Sequence, residues 1–167
     1  MAGQRGNEIL RPSVLDRLMK RDEHRSESMY FEGIGLRELK ESVARDLAWL
    51  LNTQMWLPPE VADIDGLEET RNSILSYGIP DLSTFSWTNP QDCRRVAAIV
   101  EKAVRTFEPR LLARTVRCEI VPTEDISDFS VSLRIEAMLY VDPIKEHVAF
   151  DSVADIGGGG IRVESFE

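Results

Sequence analysis

The stretch Phe129-Ser130-Val131-Ser132-Leu133-Arg134-Ile135-Glu136-Ala137-Met138-Leu139-Tyr140-Val141 alternates without a break. Every odd position is apolar, and serine, charged residues, Met138 and Tyr140 fill the even ones. A period of two is strand geometry, because successive side chains leave opposite faces of a pleated backbone. Thirteen residues in one phase predict a long strand with one face on a core and the other toward water. Just upstream, Val116, Cys118 and Ile120 alternate with Arg117 and Glu119 in a shorter strand. Downstream, Asp142-Pro143 supplies a turn and Glu146 to Val153 returns as a third strand. Gly157 to Gly160 makes a second turn, and Ile161 to Phe166 closes the sheet.

The chain before Val116 has a different period. Leu36, Leu39, Val43, Leu47 and Leu50 recur at three and four, which predicts an amphipathic helix from Leu36 to Asn52. Arg37, Glu38, Glu41, Arg45 and Asp46 lie off that stripe. A second helix is marked by Asn89 as cap, Pro90 at the first helical position and Asp92 at the positive dipole end. Its buried face is Val96, Ile99, Val100, Ala103, Val104 and Phe107, and Pro109 disfavours helix at Glu108. From Thr53 to Thr88 prolines and glycines punctuate the chain, with a short helix predicted over Leu67 to Ser76. Trp56, Tyr77, Phe85 and Trp87 are too apolar for a solvated linker, so this connection is expected to be packed.

Helices first and strands after imply an α+β single domain, with helices on one face of a mainly antiparallel β-meander. Residues 33–167 form that domain. Residues 1–32 read as an N-terminal docking arm: Ser13 caps a short helix whose apolar patch, Val14, Leu15, Leu18 and Met19, is too small to fold alone. It packs on the body or on a partner, or else it is a frayed tail.

Composition narrows the function. The chain has 167 residues and 18.9 kDa, enough for one core. No run approaches the roughly 18 apolar residues of a membrane span, and the first residues lack the apolar stretch of a secretory signal. Two cysteines give neither a disulfide framework nor a zinc pattern. The expectation is a soluble intracellular protein. The net charge of −9 repels phosphate backbones, which argues against nucleic acid as a partner. Up to Glu32 six basic and six acidic side chains cancel, so the excess acid belongs to the domain. Arginines outnumber lysines 16 to 4, a mild sign of a protein built for fixed contacts.

Catalytic patterns are sparse. His24 and His147 sit in no ligand-spaced cluster, Cys118 falls on the apolar side of a strand, and Cys93 has no base in view. Gly157 to Gly160 is followed by no lysine and no helix, so it reads as a hairpin turn and not a phosphate loop. Gly33-Ile34-Gly35 opens a helix, but Glu38 stands where a dinucleotide fingerprint needs its third glycine. A glycosidase needs two carboxylates flanking a cleft. Glu101, Glu108, Glu124, Asp125 and Asp128 are available, but abundance is not pairing. No metal or cofactor is called for. Glu108-Pro109-Arg110-Leu111 differs in kind, because a rigid proline separates opposite charges where helix becomes strand. Glu108 lies at the negative end of the helix and needs a cation, either Arg110 itself or an arginine from a partner.

With these residues in place the chain resembles the TssE family, baseplate subunits of bacterial type VI secretion systems related to the wedge proteins of contractile phage tails. The resemblance rests on Pro12-Ser-Val-Leu-Asp-Arg-Leu18, Leu50-Leu-Asn-Thr53, Ser73-Ile-Leu-Ser-Tyr-Gly-Ile-Pro-Asp-Leu82, Phe107-Glu-Pro-Arg-Leu111 and the long strand leading into Asp142-Pro143. Gln54 and Ser76 depart from the pattern, where arginine and asparagine are usual. The resemblance implies a cytoplasmic structural subunit, without enzymatic activity or cofactor, assembled at the inner face of the inner membrane but not inserted in it. It implies wedge partners TssF and TssG, with TssK and the VgrG hub in the same assembly, and the sheath proteins TssB and TssC. The subunit would link the wedge to the first sheath ring and template the sheath. Glu108, Pro109, Arg110 and Leu111 would meet the wedge, with Leu15 and Leu18 of the arm as a further contact. Charge reversal at Glu108 or Arg110 is then expected to loosen assembly and leave the isolated chain folded. Two other classes stay open on the residues alone: a lysozyme-like peptidoglycan glycosidase, and a regulatory module that captures one response protein.

Overall fold

The computed structural model describes residues 35–56, 66, 68–121, 130–141, 144–155 and 160–166. The arm at 1–32, with Leu15 and Leu18, lies outside them, as do Asp142-Pro143 and Gly157 to Gly159 of the two expected turns.

Helix α1 spans Leu36–Asn52, the bounds predicted by its stripe, and buries Leu39, Val43, Leu47, Leu50 and Leu51. The short helix expected over Leu67 to Ser76 is two pieces. A single turn, α2, covers Glu68–Arg71, and a 3-10 turn follows at Ile74–Ser76. Ser73 makes the break. Its hydroxyl donates to Thr70 O at 2.7 Å and accepts from Leu75 N at 3.3 Å. These local bonds hold its backbone extended, at φ −91° and ψ 171°. Helix α3, Pro90–Phe107, begins as read: Asn89 accepts from Gln91 N at 2.9 Å and Pro90 occupies the first turn.

Four strands follow, β1 Arg117–Val121, β2 Ser130–Val141, β3 Ile144–Asp155 and β4 Gly160–Phe166. They pair antiparallel in chain order, the predicted meander. The third strand is longer than its own pattern suggests, since β2 and β3 pair from Ser130↔Asp155 to Val141↔Ile144. Helices α1 and α3 pack side by side on one face, α1 over β4 and α3 over β1. Between the layers Leu47, Leu50, Val100, Leu133, Ile135, Leu139 and Phe150 are fully enclosed. Each such side chain contributes about 2 kcal/mol of transfer free energy. Buried Ser152 satisfies its hydroxyl on Leu133 O at 3.0 Å.

The other face of the sheet meets solvent through Arg134, Glu136, Tyr140, Lys145 and His147. Arg134 grips Asp151 across the strands with two bonds of 2.7 and 2.8 Å, and its hydrogen bond holds the Asp151 carboxyl below the usual carboxylate range. In the connection after α1, Tyr77, Phe85 and Trp87 pack on the core, and Tyr77 meets Phe107 edge-on at 5.3 Å. Trp56 departs from expectation, being 76% exposed.

Candidate functional site: the helix-to-strand corner

Helix α3 ends where its sequence stops it. Glu108 leaves the helix at φ −115°, and its N–H still bonds Val104 O. Leu111 N bonds Glu108 O at 3.2 Å, which closes a turn with Pro109 at its second position. Proline's fixed φ suits that place. The chain then runs along β2, with Tyr140 N donating to Arg110 O at 2.8 Å and Leu112 N to Met138 O at 2.9 Å. Leu111 is enclosed in the core, and Pro109 faces solvent.

Within this turn the two charges meet each other. Arg110 Nε reaches Glu108 Oε1 at 2.7 Å, and Nη2 reaches Oε2 at 2.5 Å. The Arg110 backbone N–H adds a third bond to the same carboxylate at 3.1 Å. Glu108 is only 4% exposed. The cation that answers the helix end is therefore Arg110 itself. The guanidinium also crosses to α1, donating to Ser42 Oγ at 2.9 Å and to Asp46 Oδ2 at 2.5 Å. Arg45 joins from the outer side, donating to Asp46 Oδ1 at 3.2 Å and lying 5.3 Å over the Trp49 ring, which is 42% exposed. Burial works against the charge on Arg110, but the hydrogen bonds and charges of Glu108 and then Asp46 outweigh it and hold its pKa above the ordinary value. Tyr77 stands nearby, and burial, then Asp46 and Glu108, raise its phenol pKa.

This arrangement braces the turn against α1. Each nitrogen of the Arg110 guanidinium has an acceptor, and Glu108 is held by three donors. The burial of Glu108 also alters the expected effect of charge reversal. Reversing Glu108 or Arg110 would enclose like charges in this turn and unsettle the fold itself. Ser42, Arg45 and Asp46 belong to the network, although sequence reasoning placed Arg45 and Asp46 off the stripe of α1 and did not single out Ser42. The available signal was their adjacency to the stripe: Ser42 and Asp46 are four apart, each preceding a stripe residue, Val43 and Leu47.

The other candidate groups stay apart. Glu101 accepts from Cys118 N at 3.0 Å and holds Arg105 at 2.5 Å. Glu124, Asp125 and Asp128 lie outside the described residues. Burial, followed by Glu101 and Glu119, pushes the Cys118 thiol up to about 12. Cys93 Sγ lies 3.2 Å from Trp87 O. Among the described residues no three His, Cys, Asp or Glu side chains are grouped to hold a metal, and no helix is long and apolar enough to cross a membrane.

Two long helices on a four-stranded meander, tied together by an ion-paired corner, define a small α+β scaffold whose most organised polar feature braces the fold. The family model of baseplate wedge protein gp25 matches residues 37–144, a span that holds all but the first residue of α1, and α3, the corner and β2. The chain belongs to this family of structural baseplate proteins. No curated protein and no solved structure matches it.

Proposed function

We propose that this protein is a non-enzymatic baseplate subunit of a type VI secretion machine, which links the wedge to the first ring of the sheath and templates sheath assembly. Membership of the baseplate wedge family carries the reading. On it, the wedge proteins TssF and TssG grip the corner, TssK and the VgrG hub complete the same assembly, and TssB and TssC meet the sheet. Work would take place in the cytoplasm, at the inner face of the inner membrane. Residues 33–167 act as the domain, and the arm at 1–32 adds a contact through Leu15 and Leu18.

The geometry supports a division of labour at the corner. Glu108 and Leu111 are buried, so they set its shape; Pro109 and the outer rim of Arg110 are what a wedge protein can touch. Pro109→Arg tests this directly, because it changes the exposed apex and leaves the ion pairs in place. The variant should melt within about 1 kcal/mol of the parent, as surface changes do, yet fail to co-purify with TssF and TssG. Normal wedge assembly by a folded Pro109→Arg protein would reduce the corner to a helix stop.

A further inference from the structure

The two long helices carry their charge differently. Helix α1 has three cations and three carboxylates, and each cation is matched: Arg37 by Glu41 at 2.9 Å, Lys40 by Glu146 at 3.5 Å and Arg45 by Asp46 at 3.2 Å. From Pro90 to Arg117, α3 and the turns after it hold seven basic and three acidic residues. That is a net +4, which leaves −13 to the rest of a chain whose net charge is −9. The outward row of α3 is Gln91, Arg94, Arg95, Ala98, Lys102 and Arg105, all exposed and none a carboxylate. Arg95 and Arg105 reach Asp92 and Glu101 on the flanks, at 3.6 and 2.5 Å. Arg94 and Lys102 make no ion pair among the described residues. Nor does Arg114, exposed in the 3-10 turn Ala113–Thr115 that packs beside α3. Like charges along one helix face repel, and these three cations brace nothing in the described fold.

We infer that this row docks an acidic helix of another protein, laid along α3, and that Ala98 is where the two backbones come closest. Arg94 and Lys102 lie eight residues apart, about 12 Å along the axis at 1.5 Å per residue. The exposed methyl of Ala98 leaves a gap between them. A facing helix fills that gap with a small or apolar side chain and carries carboxylates two turns apart, one for each cation. Arg95 and Arg105 offer forked donors to further carboxylates on either side. A nucleic acid or an anionic bilayer fits less well. Each extends past the row and brings its charge against the −13 of the remaining body. The row also has no large apolar side chain to enter a bilayer. The inference adds a face to the corner and the sheet of the proposed function, and it stands without either.

Fluorescence anisotropy on the full chain tests this. The probe is a labelled, alanine-based helical peptide with glutamates two turns apart on one face, and its control has the same glutamates scattered around the helix. The probe should bind at least tenfold tighter than the control, and should weaken tenfold or more as salt rises from about 50 to about 300 mM. Arg94→Glu combined with Lys102→Glu changes two exposed side chains, so the variant should melt as the parent does and bind the probe at least tenfold more weakly. A peptide with lysines in place of the glutamates should bind that variant and not the parent. Ala98→Trp should weaken the probe through crowding alone. Equal binding of the two peptides, no binding by the probe, or binding retained by the charge-reversed variant overturns the inference. Tighter binding of a single-stranded oligonucleotide or of phosphatidylserine vesicles, lost on the same reversal, also overturns it and assigns the row to that polyanion. In the assembled baseplate a carbodiimide, which joins an amine to a carboxylate in direct contact, should link Lys102 to an Asp or Glu of another protein. No such link, or one confined to this chain within or between copies, overturns the inference and leaves the baseplate reading standing.

Discussion

Two ion pairs show what burial does to a charge. Arg37 and Glu41 meet at 2.9 Å on the surface of α1, with side chains 84% and 55% exposed. Water screens both, and such pairs contribute about 0.3–0.5 kcal/mol. Arg110 and Glu108 meet at 2.5 Å with side chains 21% and 5% exposed. Here each charge has given up hydration, and removing one leaves the other poorly compensated. Glu108→Gln keeps the volume and removes the charge, so Arg110 retains only Asp46 as an ionic answer. We expect a loss of about 2–3 kcal/mol in urea unfolding, just below the range for a fully buried pair because Arg110 keeps one carboxylate and some solvent. Glu41→Gln should change stability by less than about 0.5 kcal/mol. Equal effects from the two substitutions would show that the corner braces nothing.

The connection from α1 to α3 is held by contacts between residues distant in the chain, and there a glycine decides the geometry. Ile79 N donates to Thr53 O at 3.0 Å and Met55 N to Ile79 O at 2.8 Å, a parallel bridge that seats the chain end of α1. Gly78, with φ at +108°, lets the strands approach, and a Cβ there would lie 2.2 Å from Thr53 O. Gly78→Ala must therefore break the bridge as well as strain the backbone. Its cost should exceed about 2 kcal/mol, with early exchange of the Met55 and Ile79 amides as the local sign. The same connection marks the limit of what sequence reveals. Both long helices and all four strands were legible because burial repeats along each at a fixed period. The break at Ser73 arises from hydroxyl bonds that no periodicity records, and the exposure of Trp56 lies in a stretch with no period to read. At the corner, Glu108 and Arg110 were legible because a proline sits between them. Asp46 and Ser42 were not, because they join from 64 and 68 residues away.

The excess of acid, the described core and the family match all fall beyond residue 32. The excess of acid lies beyond Glu32, since the residues up to there balance at six and six. The described core draws its fully enclosed side chains from Val43 through Phe150, and the family match covers 37–144. On the proposed function, a scaffold between two partners has to be stable before either arrives, so residues 33–167 should carry their own cooperativity. A chain shortened to residues 33–167 should unfold in one transition, with its midpoint within about 3 °C of the full protein, a shift equivalent to about 1 kcal/mol in a domain of this size. It should still bind TssF and TssG through Pro109, more weakly than the full chain by the share that Leu15 and Leu18 supply. The double substitution Leu15→Ala and Leu18→Ala in the full chain should reproduce that weakening without the deletion. A drop of 10 °C on shortening would mean that the apolar patch of the arm packs on the body. An arm packed in that way would brace the domain, and the wedge contact would then belong to the corner alone.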